Sequence, residues 1–173
     1  DMETVLDIAR RYKLLVIEDS SQAIGQLYEG KPCGSFGDIS TFSFYSNKLI
    51  TTGEGGLLAT NDEIIFEKCQ SLRNLCFGKA QRFIHTNLGW NYRMSNLQAA
   101  VGVAQVERWE MSLRKKKEIG RKYRSGLRDL EKLQLPVEEF GNAENLYWVF
   151  GVVLKDTNLC RDDVTRKLFQ LGI

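Results

Sequence analysis

The chain has 173 residues, 43% of them hydrophobic and 27% charged, a balance that excludes a disordered segment and fits an ordinary globular protein. No apolar run approaches the length of a bilayer span, and no basic-then-apolar signal segment opens the chain. The formal net charge is +2, from 24 Lys and Arg against 22 Asp and Glu, which gives no ground for a nucleic-acid partner.

In chain order the first element reads as a helix. Asp1 and Glu3 place negative charge in its first turn, where the helix dipole favours it, and Val5, Leu6, Ile8, Ala9 and Tyr12 give it an apolar face. An apolar strand is expected at 14–17, followed by a glycine-punctuated loop with short extended pieces at 25–37. Residues 39–45 alternate and are rich in β-branched and aromatic types, which predicts a strand. Thr52-Gly53-Glu54-Gly55-Gly56 reads as a turn and 57–60 as a short buried strand.

Asn61-Asp62-Glu63 then caps a helix expected to end near Leu75, and 76–93 is polar, aromatic and irregular. Ser95 caps a long helix whose buried side is expected to carry Leu97, Ala100, Val101, Ala104, Val106 and Trp109; it continues, with or without a break, to Leu130. Beyond Pro136 a strand is expected at 146–154, then a helix over Arg161–Gln170 capped by Asp156 or Asn158. This order predicts an α/β fold in two parts: 1–107, a connecting helix over 108–135, and a smaller α+β piece over 136–173. The opening helix has no strand before it to cross over from, and the chain stops where another strand is expected, so both ends read as cut.

The four cysteines, Cys33, Cys69, Cys76 and Cys160, form no C-x-x-C pair, and His85 is the sole histidine. No metal site is expected, and reduced thiols in a cytoplasmic protein are the economical reading. The basic run Arg114-Lys115-Lys116-Lys117, with Arg121, Lys122 and Arg124, is interspersed with Glu107, Glu110, Glu118 and Glu131 and reads as a solvated helix face.

Two constellations carry chemistry. In Val16-Ile17-Glu18-Asp19-Ser20-Ser21-Gln22 an acid follows a buried strand, at the carboxyl end where open α/β sheets place their ligands. A carboxylate held there is expected to be poorly solvated and to need a cation or several donors. In Phe44-Tyr45-Ser46-Asn47-Lys48 a lysine follows a strand and precedes a turn with three glycines, so that an amine in a partly enclosed site can attack an aldehyde beside a close-lying backbone.

E-D-S-S-Q-A-I-G, G-S-F-G-D-I-S-T-F-S-F, N-K-L-I-T-T-G-E-G-G and L-G-W-N-Y-R-M-S-N-L-Q-A-A, in this order, resemble the DegT/DnrJ/EryC1/StrS family over residues 1 to about 130. Its members are fold-type-I, pyridoxal-phosphate-dependent aminotransferases acting on nucleotide-linked keto sugars, and residues 76–93 most resemble the perosamine synthase branch. The resemblance implies part of the large cofactor-binding domain followed by the start of a small α+β C-terminal domain. It implies that Lys48 is the Schiff-base lysine and proton shuttle and that Asp19 pairs with the pyridinium nitrogen of pyridoxal 5'-phosphate.

By the same resemblance Gln22 lies by the ring and its phenolic oxygen, Ser43 hydrogen-bonds the phosphate, and Asn91 reaches the phosphate of a neighbouring subunit in a homodimer with a shared active site. The role of Arg93 is left open, an anchor for the Asn91 loop being one reading. Glutamate is the implied amino donor and a 4-keto-6-deoxy hexose, linked to a nucleotide, the implied acceptor. Family members are more than twice as long, and the ring-stacking aromatic residue and a helix N-terminus facing the phosphate come from segments outside this sequence. A catalytically inert or regulatory relative that keeps the fold is one alternative. A related sugar dehydratase is another, but it carries His where Lys48 stands.

Overall fold

The structure, a computed structural model, describes residues 1–78, 83–156 and 158–173; residues 79–82 of the irregular stretch lie outside the described residues. Helix α1 (Met2–Tyr12) starts where the charge pattern predicts, with the Asp1 side chain accepting from the Thr4 N–H. It ends in a left-handed Lys13, φ 53°, whose N–H returns to the Arg10 carbonyl while Leu14 N–H bonds Ala9. Strand β1 (Ile17–Asp19) therefore begins later than the expected 14–17. Residues 14–16 are occupied in closing the helix and in binding Asp38, whose Oδ2 accepts from Val16 N at 2.7 Å and whose N–H donates to Val16 O at 2.9 Å.

A hairpin of β2 (Leu27–Tyr28) and β3 (Lys31–Pro32) occupies the glycine-punctuated loop. Strand β4 (Ile39–Ser43) lies between β1 and β5 (Gly56–Ala59), parallel to β1 with Asp19 beside Thr41, and antiparallel to β5 with Ser43 beside Gly56. Gly55 accepts the Phe44 N–H and has φ +146°. A Cβ there would stand 2.6 Å from Thr52 Oγ1 and 2.8 Å from Met94 Cε, so the turn requires glycine. The Glu18 carboxylate accepts from the N–H groups of Gly34, Phe36 and Gly37 and fixes the loop ahead of β4.

Helix α2 (Glu63–Arg73) is capped by Asp62 as expected. Helix α3 (Asn96–Val106) opens with a complete capping box between Ser95 and Gln98. Its inward side is the reverse of the one predicted. Gln98 donates to the Glu54 carbonyl at 3.0 Å, and Gly102 lies against Thr52, whereas Leu97 is 83% exposed and Ala100, Val101, Ala104 and Val106 are exposed with it. The glycine turn needs a donor and a small residue, and those lie on the polar side of α3; no described residue covers the apolar side. Trp109 alone of the predicted set turns inward, half-buried near Gly25.

The long helix does break, at Glu107–Arg108, and α4 (Trp109–Leu127) follows. Beyond it β6 (Leu133–Gln134) pairs with β9 (Val153–Leu154), and β7 (Glu139–Phe140) pairs with β8 (Ala143–Glu144). The strand expected over 146–154 is reduced to β9. Tyr147 is left-handed at φ 53°, and the Asn145 side chain accepts from its N–H and donates to Val137 O, which breaks any ladder. Leu146 and Tyr147 are buried instead, as is Ile50 two residues after Lys48. The Tyr147 ring lies directly against Gly120, and its hydroxyl is buried without a hydrogen-bond partner among the described residues.

Helix α5 (Arg161–Gln170) has the expected span, but its cap position is Cys160, with no side-chain bond. Asp156 is engaged elsewhere, by Lys132 at 2.8 Å and by the Asn158 N–H. All four cysteines are free thiols, no group of metal-ligating side chains forms among the described residues, and none of the described helices is long and apolar enough to cross a membrane.

Glu144 ties α4 to the β7–β8 hairpin through Lys117 at 2.7 Å and Arg121 at 2.9 Å. The Lys117 hydrogen bond, aided by both charges, holds the Glu144 carboxyl below the usual glutamate range. A depressed carboxyl contributes stability that is present above the usual glutamate value of about 4.3 and is lost as pH falls through the depressed value. Glu144→Gln is therefore expected to flatten the acid-side fall of the melting temperature between roughly pH 5 and pH 3. Melting curves across that range check it; an unchanged slope would show that Glu144 is not linked to folding.

Candidate active site

Because β1 and β4 run parallel, Asp19 and Ser43 end their strands on the same edge of the sheet. The chain then turns through Tyr45–Lys48, closed by the Lys48 N–H donating to Tyr45 O at 3.0 Å, and brings the lysine back over that edge. Lys48 is half-buried, with Nζ 4.2 Å from the centroid of the Trp148 ring. Trp148 Nε1 donates to the Asn47 carbonyl at 3.4 Å, so the ring is fixed to the same turn as the amine. A cavity of about 170 Å³ opens here, lined in part by Ser21, Gln22, Asn47, Lys48, Lys116 and Trp148.

Asp19 has its donors but is not buried. Its Oδ1 accepts from Ser21 N at 3.0 Å, from Ser21 Oγ, and from Thr41 Oγ1 at 3.2 Å, and the side chain stands exposed. The expectation of a poorly solvated carboxylate is corrected accordingly: among the described residues nothing covers it. The Ser21 hydroxyl first, then the Ser21 N–H and the Thr41 hydroxyl, hold the carboxyl below the usual aspartate range, with the Lys48 ammonium adding least. Three donors on Oδ1 orient the group and leave Oδ2 with no donor among the described residues.

Ser43 is half-buried with Oγ accepting from Tyr45 N at 3.3 Å, which leaves its O–H free to donate. Gln22 lines the cavity beside Lys48. Asn91 stands apart: it is bridged through its backbone to Asn74, and its Oδ1 accepts from Arg93 Nε at 3.1 Å. His85 Nδ1 lies 2.6 Å from Leu75 O, and its ring packs on Phe77, away from the cavity lining. The structure thus brings Lys48 and Gln22 into one cavity, places Asp19 and Ser43 on the adjoining strand ends, and leaves Asn91 facing outward.

Four contributors carry no chemistry that the sequence pattern singles out. Ser21 and Thr41 orient Asp19, and a serine two residues after an acid is a recognisable turn signal. Trp148 and Lys116 reach the cavity from 100 and 68 positions beyond Lys48, separations at which local pattern says nothing. The donor set fits pyridoxal phosphate: an amine, a carboxylate with one oxygen unengaged and its charge favoured, and a hydroxyl on the same sheet edge.

The DegT/DnrJ/EryC1/StrS aminotransferase family matches the chain over residues 1–173. GDP-perosamine synthase of Caulobacter vibrioides is 40% identical over 174 residues, covering 100% of this chain and 47% of the relative. The Bacillus subtilis protein EpsN, whose name describes a pyridoxal phosphate-dependent aminotransferase, is 34% identical over 99% of this chain and 44% of its own length. Among solved structures, the Helicobacter pylori aminotransferase PseC, involved in pseudoaminic acid biosynthesis, superposes with TM-score 0.90 at 26% identity, over 100% of this chain and 47% of that one. The chain spans about half the length of the curated relatives it matches. With the family matched from end to end, and with an amine and an oriented carboxylate on one sheet edge, the chain belongs to the DegT/DnrJ/EryC1/StrS aminotransferase family.

Proposed function

We propose that this chain carries the pyridoxal-phosphate-binding part of an enzyme that transfers an amino group from glutamate to a nucleotide-linked keto sugar, at C4 of a 4-keto-6-deoxy hexose. The observation that carries the reading is Lys48 over the strand edge that also holds Asp19, its Oδ1 saturated by three donors. The perosamine synthase relative supports the sugar class.

Pyridoxal phosphate, when bound, supplies an electrophilic aldehyde and a ring that accepts electrons. Lys48 Nζ would provide the amine that captures it, and afterwards the base that holds and returns a proton beside the substrate. Asp19 Oδ2, ionised by the donors on Oδ1, would accept from a protonated ring nitrogen and keep that proton in place. Ser43 Oγ would donate to the phosphate, Gln22 would face the ring from the cavity wall, and the outward-facing Asn91 would serve the phosphate of a second subunit in a homodimer. In this reading 1–107 belong to the large domain, 108–135 connect, and 136–173 begin the small one.

Adding pyridoxal phosphate, recording the visible band, reducing with borohydride and mapping the labelled peptide tests this directly. The expected label sits on the peptide holding Lys48. Label confined to other lysines, or no band at all, would overturn the proposal.

A further inference from the structure

Of the basic residues on α4, all but the exposed Arg114 and the half-buried Lys116 are ion-paired among the described residues. Lys115 and Lys122 pair with Glu118, Lys117 and Arg121 with Glu144, and Arg124 with Glu138. For Lys115 and Lys122 the expected solvated face, with charges of both signs, holds; Lys117, Arg121 and Arg124 instead tie α4 to Glu138 and Glu144. Lys116 differs. It is half-buried, it lines the same cavity as Lys48, and it has no ion pair or side-chain hydrogen bond among the described residues.

Two lysines therefore line one cavity of about 170 Å³, and no aspartate or glutamate lines it among the described residues. The remaining polar groups on its wall include the side-chain amides of Gln22 and Asn47, able to donate a hydrogen bond, while the Ser21 hydroxyl proton is already given to Asp19 Oδ1. An anion entering a cavity lined by two lysines and no carboxylate can gain charge-assisted hydrogen bonds. Asp19, on the adjoining strand end, has its Oδ1 turned to Ser21 and Thr41 and stands outside the cavity lining.

We propose that Lys116 forms an anion subsite beside Lys48 that takes an oxyanion group, carboxylate or phosphate, of a small acidic substrate. Treating that anion as part of a substrate rests on the proposed role of Lys48; the binding itself does not. A carboxylate would come from an amino-acid donor and a phosphate from a nucleotide-linked acceptor, and both present oxygens of the same chemistry to the ammonium. The competing account is a lysine whose stem merely packs on the cavity wall, which leaves anion binding indifferent to its charge.

Calorimetric titration of glutarate and, separately, of GDP into the 173-residue chain, its Lys116→Gln variant and its Lys116→Arg variant distinguishes these. The expected result is that at least one ligand binds the unmodified chain, more weakly as salt rises, that Lys116→Gln weakens it about ten-fold or more, and that Lys116→Arg retains it. Which ligand responds identifies the source of the oxyanion, and a response to both marks a general oxyanion site. Absence of binding by the unmodified chain, or equal binding by the Gln variant, overturns the subsite. Borohydride trapping at Lys48, run on the same three proteins, is expected to persist in the Gln variant. Failure of trapping in the unmodified chain would count against the proposed function and leave the titration result standing.

Discussion

A Lys48→Ala chain is expected to remain folded while losing both the visible band with pyridoxal phosphate and the borohydride-reduced adduct. Folding should survive because the turn is closed by the backbone: the Lys48 N–H donates to Tyr45 O, and that bond is indifferent to the side chain. The substitution removes the ammonium from over the Trp148 ring, an interaction of about 0.5–1 kcal/mol at an exposed site. Capture of an aldehyde needs a specific amine, and the other amine lining the cavity, Lys116, is on α4 rather than on the strand edge with Asp19. Where transamination is assayed, the turnover number should fall by about 10³-fold or more, because one group supplies both the amine and the proton transfer. Spectra before and after reduction, with peptide mapping, check the first part; an adduct in equal yield from the alanine variant would remove Lys48 from its role.

The second large effect is expected far from any reacting atom. In Gly120→Ala the new Cβ would lie 2.3 Å from Tyr147 Cγ and Cδ2 and 2.8 Å from its Cβ. Contacts that short cannot persist, and neither partner moves freely. Gly120 is buried within α4, and Tyr147 is 4% exposed, with its N–H held by the Asn145 side chain at 2.7 Å. Overpacking of this kind costs about 1–3 kcal/mol, and a clash with both the ring and its Cβ puts it at the upper end. A loss of about 3 kcal/mol lowers the melting temperature of a domain this size by roughly 6–12 °C. Since Trp148 follows Tyr147 directly, the displacement should also lift the indole from Lys48 and slow capture of pyridoxal phosphate. Thermal unfolding and the rate of reducible adduct formation measure the two consequences; an unchanged melting temperature would mean that the tyrosine has room to swing aside.

Local signals were legible where local chemistry decides the outcome. The Asp62 and Ser95 caps, the negative charge that opens α1, the alternation that marks β4 and the glycine turn all depend on residues within a few positions of one another. The start of β1 escaped because Asp38, more than twenty positions on, claims the Val16 backbone. The apolar pattern of α3 is genuine, but a pattern shows only which side is greasy; the glycine turn selected the side bearing Gln98 and Gly102. Residues 146–154 look like a strand until one sees the Asn145 side chain competing for the backbone and Tyr147 crossing into left-handed space. At the site, motif order and strand-end logic pointed to Lys48 and Asp19, and the parallel register of β1 and β4 sets the ends of those two strands on one sheet edge. Trp148 and Lys116 carry no such signal, since their place beside Lys48 exists only after α4 and the β7–β8 hairpin have packed.

The indole beside Lys48 also gives the molecule a built-in optical gauge. Of the three tryptophans, Trp90 stacks on Tyr92 and Trp109 lies by Gly25, while the Trp148 ring centroid sits 4.2 Å from Lys48 Nζ, the amine proposed to carry a coloured group. Excitation energy passes efficiently from an indole to an absorber at such range, so under that proposal emission from this ring is expected to dim as Nζ becomes occupied and to brighten as it is vacated. Occupancy of a single amine can therefore be followed in real time by light, without label or turnover.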